Sequence, residues 1–289
     1  MWQLRQVLKF VLGLLGAVVL AAAVAAVPEP GGHYQLRFVF VRIADFLQFR
    51  FGASSITGLP AAQEVAARLP ATLELIAIGA VIAFLLGAPL GFLLGRGRGL
   101  RAAALLVQLI AAAPVFCAGL GLIWLAARVF HWTYMPQPLP WPAMAAGGAT
   151  ALAALKALSL PGLTVGAAGA SVVQLAVRRA ESEASDDPYR QGLRLLGLGS
   201  FEIDRLYLVP QVFAGLLASF GEIILALFSA AAVAEWLFRW PGAAALFVKS
   251  VALRDWNLTA LILLTIAAIS LLADLCGAIA ARAFGGVEP

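Results

Sequence analysis

Apolar residues run along this chain in long blocks separated by short polar stretches, and six blocks are long enough to cross a bilayer: about 8–27, 71–94, 102–128, 159–177, 211–234 and 258–281. A helix of about 20 apolar residues spans about 30 Å of hydrocarbon. Inside lipid the backbone must satisfy its own hydrogen bonds, which leaves helices or closed barrels. The every-second-residue alternation of a barrel strand is absent, so the pattern predicts helices. The expected fold is an all-α membrane protein with six transmembrane helices.

The stretches between the blocks add topology. Arg5 and Lys9 make a basic start to the first block, and Ala23-Val24-Ala25 resembles a signal-peptidase site. An uncleaved first span gives an even number of crossings, with both termini inside. Arg96, Arg98, Arg101, Arg178, Arg179, Arg190, Arg194, Arg205 and Arg282 then also fall inside, as the positive-inside bias favours. Arg37, Arg42, Arg50 and Arg68 fall outside, in a longer segment where the bias has less force. The expected divisions are a first span (1–27), an external segment (28–70), a core (71–282) with a cytoplasmic loop at 178–208, and a short inner tail (283–289). Residues 36–51, rich in Phe and Arg, read as an amphipathic helix lying on the outer face. Residues 143–158 either extend the fourth span outward or lie in the interface, and the interfacial reading is preferred. Gly87, Gly91 and Gly95 place three positions without side chains on one face of the second span, where a neighbouring helix can approach closely.

Composition narrows the function. Only 12% of residues are charged and 62% are hydrophobic, against about 25% charged in a soluble domain. The net charge of +5 comes from residues at the ends of apolar blocks, so it marks topology and not a nucleic-acid face. Cys117 and Cys276 lie inside apolar blocks without metal-ligand spacing and are expected to be buried. The lysines, Lys9, Lys156 and Lys249, follow Leu, Leu and Val, so no GxxxxGK[ST] phosphate loop is present. Zinc-protease and nucleophile-elbow motifs are absent too, and His33 and His131 fall in outer loops. The chain carries no recognisable enzyme chemistry, cofactor site or metal site.

The polar segment 178–208 is the longest on the inner side. Asp186 and Asp187 before Pro188 mark a helix start. Gly197 marks its end as a C-terminal cap. Between them Leu193 and Leu196 share one face, while Arg190 and Arg194 line another. Such a helix is either a docking element for a protein partner or a solvated connector.

Three motifs carry a family resemblance. Gly197 followed thirteen residues later by Pro210 in LYLVP is similar to the inner-loop signature of ABC importer permeases, EAA-x3-G-x9-I-x-L-P. Gln191-Gly192-Leu193 stand at the EAA triplet and Tyr207 at the Ile, and both depart from the ideal. TGLPAAQEVAARLPATLEL (57–75), with Arg68, Pro70, Thr72 and Glu74, resembles the lead-in to the second span of dipeptide, oligopeptide and nickel permeases. EWLFRWPGAAALFVKSVALRDW (235–256), with Glu235, Trp240, Pro241, Gly242 and Asp255, resembles their segment before the last span, and SLPGLT (159–164) their approach to the fourth. The resemblance covers about 51–282. The outer stretch Pro28-Glu29-Pro30-Gly31-Gly32 stands where the family has Pro-Gly-Asp.

The resemblance implies a type I importer (MetI-like) permease fold in the bacterial inner membrane. It implies a second permease subunit, usually a related but different chain, two ABC ATPase subunits and a periplasmic or lipid-anchored substrate-binding protein. It implies that 186–198 is the coupling element that the ATPases grip. Glu222, about midway along the fifth span, is costly in lipid and is a candidate for the translocation path, for a hydrogen bond to the partner permease, or for a protonated packing residue. Asp274 is expected to pair with Arg282 or a neighbouring loop. Trp236 and Trp240 suit interfacial anchoring. An ABC permease for another solute class, such as a sugar or metal chelate, and an ion-coupled secondary transporter remain as alternatives.

Overall fold

The computed structural model describes residues 2–27, 36–96, 113–129, 131 and 149–283. Among them are eleven α-helices: α1 (Trp2–Ala25), α2 (Leu36–Leu47), α3 (Ala61–Arg96), α4 (Val115–Arg128), α5 (Ala149–Asp186), α6 (Pro188–Leu195), α7 (Ser200–Ile203), α8 (Val209–Ala218), α9 (Phe220–Leu237), α10 (Ala243–Ala252) and α11 (Trp256–Ala283). A π turn, Asp204–Leu208, joins α7 to α8. Five helices, α1, α3, α5, α9 and α11, are long and apolar enough to cross a membrane, and α4 is a shorter apolar helix. Residues 102–112 of the expected third span lie outside the described residues, as do Gly95's surroundings, His33, residues 28–32 and most of the outer loop 129–142.

Several helices run beyond their apolar blocks. α3 begins at Ala61 and passes through Pro70, whose missing N–H removes one helical hydrogen bond. α5 is the larger departure. It is one 38-residue helix through Pro161, about 57 Å long. The described part of 143–158, from Ala149, is therefore the N-terminal part of this long helix, not a separate segment. At its C-terminal end the same helix carries Arg178–Asp186, the start of the expected loop. Hydropathy marks where lipid is, whereas helical hydrogen bonding continues into water wherever no breaker intervenes. The fifth span is divided, because Ser219 (φ −93°, ψ 10°) separates α8 from α9.

The centre of the bundle is the contact of α3 with α5, two parallel helices that meet through small residues. A Cβ on Gly87 would lie 2.5 Å from the Ala170 carbonyl oxygen and 2.9 Å from Val173 Cβ. On Gly91 it would lie 2.6 Å from Val177 Cβ, and on Gly79 2.6 Å from Val165 Cγ1. The arrangement is reciprocal. A Cβ on Gly162 of α5 would lie 2.8 Å from Ile78 Cγ2 of α3, and one on Gly166 2.5 Å from Ile82 Cγ2. Helices in lipid gain no hydrophobic drive toward one another, so this close van der Waals fit is what joins them.

α8 and α9 cover the opposite side of α5. Gly215 packs on Ala180 and Gly169 on Leu227. Val165, Val173, Val177, Leu208, Ile223 and Leu227 form the buried core there. α11 closes against α9, where Gly221 faces Asp274, and α1 lies on its other side, with Val18, Ala21 and Ala25 buried beside Ala260. Asp274 therefore points to α9, and Arg282 instead stacks on Trp2 at 4.5 Å. α2 packs on α1 through Val39 and Phe46, leaving Phe38 and Phe40 exposed. Both cysteines are exposed on the outside of the bundle, against the expectation of burial. In lipid an apolar thiol faces hydrocarbon on either side of the helix surface, so an apolar block does not specify an inward position.

Gly87→Val should force α3 away from α5 and destabilise the protein by about 1–3 kcal/mol, the usual range for overpacking. Gly121→Ala, at a position with nothing within 4 Å, should leave it unchanged. Thermal unfolding of the detergent-solubilised protein compares the two.

Candidate functional site

The sequence-predicted residues fall into two clusters at opposite ends of the bundle, with Glu222 between them.

At one end, α6 is defined by its own local signals. The Asp187 carboxylate accepts a hydrogen bond from Tyr189 N at 2.8 Å, as an N-cap, and Pro188 fills the first helical position. At the other terminus Gly197 takes φ +86°. Gly197 N donates to Arg194 O at 3.0 Å and Leu198 N to Leu193 O at 3.3 Å, the paired closing bonds of a Schellman motif. Both ends are thus satisfied within a helix of only 8 residues.

Tertiary contacts then fasten α6 to the start of α8. Arg190 turns inward and pairs with Asp204 at 3.2 Å, with side chains 17% and 23% exposed. It does not line a solvated basic face. Tyr207 donates its hydroxyl proton to Asp187, and its ring lies 5.3 Å from that of Tyr189. These contacts shift both groups. The Tyr207 hydrogen bond, with that from the Tyr189 amide, holds Asp187 below its ordinary value. Burial, then the Asp187 contact, pushes Tyr207 up to about 12. Sequence reasoning missed Asp204 altogether. Its only signal was its position three residues before Tyr207. The π turn at Asp204–Leu208 leads directly into Pro210, and such a turn re-registers the backbone where a Pro lacks its N–H.

What α6 leaves outward is apolar. Leu195 is 89% exposed and Leu196 78%, with Phe201 at 77% on the adjoining α7 and Tyr189 and Leu206 also exposed. Arg194 is exposed beside them and Leu193 half-buried. Gly192 has open space around it. The side chains of Asp186 and Gln191 lie outside the described residues. The outward apolar pair is therefore Leu195 and Leu196, not Leu193 and Leu196, because Leu193 sits on the side that Arg190 and Asp204 occupy.

At the other end, Glu235 is fully buried and ties three helices. Thr72 Oγ1 donates to its Oε1 at 2.6 Å, and Ala245 N donates to its Oε2 at 2.6 Å. Thr72 in turn accepts from Ala243 N at 2.7 Å. Trp240 is 2% exposed and donates Nε1–H to Ala71 O at 3.0 Å. It is thus an internal bolt, and only Trp236, 60% exposed, retains the position of an interfacial anchor. Gly242 stands against the Glu235 carboxylate, where any Cβ would collide with it. Pro241 and Pro70 are exposed, and Arg68 and Glu74 half-buried. Asp255, also fully buried, caps α11 by accepting from Leu258 N at 3.2 Å and receives Ser54 Oγ–H at 2.5 Å. Asn257 reaches Ala53 O at 3.1 Å, so the 51–60 turn is pinned to the head of α11. Buried carboxylates with such partners are structural: their contacts go to backbone amides and to the hydroxyls of Thr72 and Ser54.

Glu222 lies in the first turn of α9, with its side chain 70% exposed and 3.9 Å from Arg179 of α5, itself 61% exposed. Both project from the exposed surface of the bundle. Among the described residues no group of three or more metal-binding side chains comes together.

A bundle of apolar helices, five of them long enough to cross a membrane, with buried polar fastenings at one end and a capped, braced helix at the other, defines a polytopic membrane protein. Comparison with known proteins gives its family. Residues 83–285 match the binding-protein-dependent transport system inner membrane component family, and the chain belongs to it. It is similar to a probable D,D-dipeptide transport system permease protein of Escherichia coli K12, 28% identical over 235 residues that cover 74% of this chain and 68% of the relative. It is also similar to a putrescine export system permease protein of the same strain, 24% identical over 238 residues, covering 73% and 72%. A peptide transport system permease protein of Salmonella typhimurium LT2 is 23% identical over 263 residues, covering 81% and 80%. The chain is therefore a transport permease of the ABC class and not itself an enzyme.

The sign of the pH dependence around α6 follows from the two shifts. Asp187, lowered in the fold, contributes stability above its ordinary value of 3.8 that disappears as pH falls through the folded value. Tyr207, raised, contributes below its ordinary 10.0 and loses this as pH rises toward about 12. The brace is thus complete from about pH 4 to 10. Tyr207→Phe should return Asp187 toward its ordinary value and speed amide exchange across 188–198 at neutral pH, measured by hydrogen–deuterium exchange.

Proposed function

We propose that this chain forms half of the translocation path of an ATP-driven importer for peptides or a related small solute in the bacterial inner membrane, and that α6 docks into a separate ATPase subunit. Six spans place both termini on the cytoplasmic side, with α4 and the residues before it as the third. The remaining subunits are a second permease, related but different, two ABC ATPases and a periplasmic or lipid-anchored substrate-binding protein.

The observation that carries this reading is the exposure of Leu195 and Leu196 on a helix whose two ends and inner side are fully fastened. A solvated connector has no need of two adjacent exposed leucines, whereas a helix seated in a cleft buries them at about 1.5–3 kcal/mol each. The Asp187–Tyr207 and Arg190–Asp204 contacts make α6 move with α8. Closure of the ATPases can then reach the spans through a short stiff link.

Glu222 supports the solute class. A carboxylate on the exposed side of a membrane helix is costly in lipid, so it faces the partner permease or a wet path. On a path it favours solutes that carry an amine, which fits a peptide amino terminus and also the polyamine in one relative's name. Arg179, 3.9 Å away and also exposed, is the basic group beside it.

The double substitution Leu195→Asp, Leu196→Asp should abolish co-purification of the ATPase subunits and ATP-dependent uptake in vesicles, with the permease still folded by thermal melting. Gly197→Asp, which loses the left-handed cap, should lower coupling of transport to hydrolysis. Normal complex formation and uptake in both variants would refute the docking reading. Glu222→Gln should lower uptake of amine-bearing solutes at least several-fold, with ATPase assembly intact. Unaltered uptake of all solutes across pH would remove Glu222 from the path.

A further inference from the structure

A cleft of about 490 Å³ opens between the first turns of α1 and the last turns of α11, within the range of about 300–1,000 Å³ that small-ligand sites occupy. Its polar side is formed by Trp2, Gln3, Gln6 and Arg282, and its apolar side by Val7, Leu275 and Ile279. Deeper in the pair the two helices touch, since Gly13 gives Leu271 its space. The cleft is therefore a pocket at one end of a two-helix contact, beside the exposed faces of α1 and α11.

The charge around it has one sign. The Arg282 guanidinium lies over the Trp2 ring at 4.5 Å. A stacked guanidinium is held in plane by the indole while its N–H edge stays available for a bidentate acceptor. No carboxylate among the described residues pairs with it. Asp274, the acid nearest along α11, faces Gly221 of α9. Arg5 and Lys9, both exposed, lie on the same turns of α1, which carries no acidic residue. Two glutamine side chains add neutral donors and acceptors beside the cation.

We propose that this cleft binds an anionic phospholipid of the inner leaflet, with the phosphate on Arg282, the polar head group against Gln3 and Gln6, and the first acyl methylenes along Val7, Leu275 and Ile279. The apolar wall selects lipid over free phosphate, because inorganic phosphate would leave that wall uncovered. A basic, aromatic-rimmed cleft between two membrane helices is suited to an anionic head group. The site would cement α1, the least buried of the five long apolar helices, to α11. It rests on the proposed cytoplasmic placement of both termini, and is independent of the solute and of α6.

The test is native mass spectrometry of the intact purified protein, presented with phosphatidylglycerol or phosphatidylethanolamine of the same acyl chains. Phosphatidylglycerol should be retained preferentially. Arg282→Gln should lower its occupancy roughly five-fold, the equivalent of one interfacial cation. Arg282→Lys, which keeps the charge, should retain most of it, and Arg42→Gln, on α2, should change nothing. Equal occupancy in Arg282→Gln would overturn the proposal. Displacement by inorganic phosphate at equal concentration would do the same, by making the site one for the free anion. Binding of phosphatidylglycerol only after removal of residues 284–289 would mean that the chain's own tail fills the cleft, and would also overturn it.

Discussion

The close parallel contact between α3 and α5 is the constraint on which the rest of the molecule depends. Lipid solvates leucine as well as another helix does, so helices associate in a bilayer only where their surfaces fit. Gly79, Gly87 and Gly91 on one helix, and Gly162 and Gly166 on the other, remove the side chains that would hold the backbones apart. Once seated, α5 has its remaining sides determined. Gly169 and Ala180 receive Leu227 and Gly215 of the divided fifth span, and the polar inner end of α5 is carried out of the bundle in a fixed direction.

That direction is what gives α6 its position. A short helix outside the membrane would fray on its own. Here Asp187 and Gly197 close its ends, and Arg190 and Tyr189 fasten it to Asp204 and Tyr207 at the root of α8. The polar fastenings at the far end of the bundle follow the opposite logic. Glu235 and Asp255 are buried with all their contacts directed at backbone and hydroxyl groups of neighbouring segments. They hold the mouths of α3, α9, α10 and α11 in register. One end is thus rigid inside itself, and the other leaves Leu195, Leu196 and Phe201 exposed.

Much of this was readable in the chain. The N-cap at Asp187-Pro188 and the Gly197 stop are local chemistry, decided by φ and by one or two hydrogen bonds. The four-residue spacing of Gly87 and Gly91 puts them on one face whatever the surroundings. Other readings failed for a common reason. Arg190 appeared as a basic surface residue because its partner lies fourteen positions away, across a turn. Trp240 appeared as a lipid anchor because indoles favour the interface, yet its N–H found the Ala71 carbonyl 169 residues earlier. The cysteines and residues 149–158 show the limit of hydropathy, which reports a taste for lipid but neither the facing of a side chain nor the end of a helix.

The sequence by itself determined that this chain lives in lipid as helices, where most of those helices lie, and which short polar segment stands apart from them. These are consequences of local composition and of backbone hydrogen bonding, which any segment expresses on its own. Only the tertiary structure decided which leucines of α6 face outward, that Glu235 and Trp240 are internal fastenings, that Glu222 meets Arg179, and that Arg282 turns to Trp2 instead of Asp274. Each of these joins residues far apart in the chain. Their pairing is selected by which helix surfaces can approach most closely, and that selection exists only once the bundle has formed.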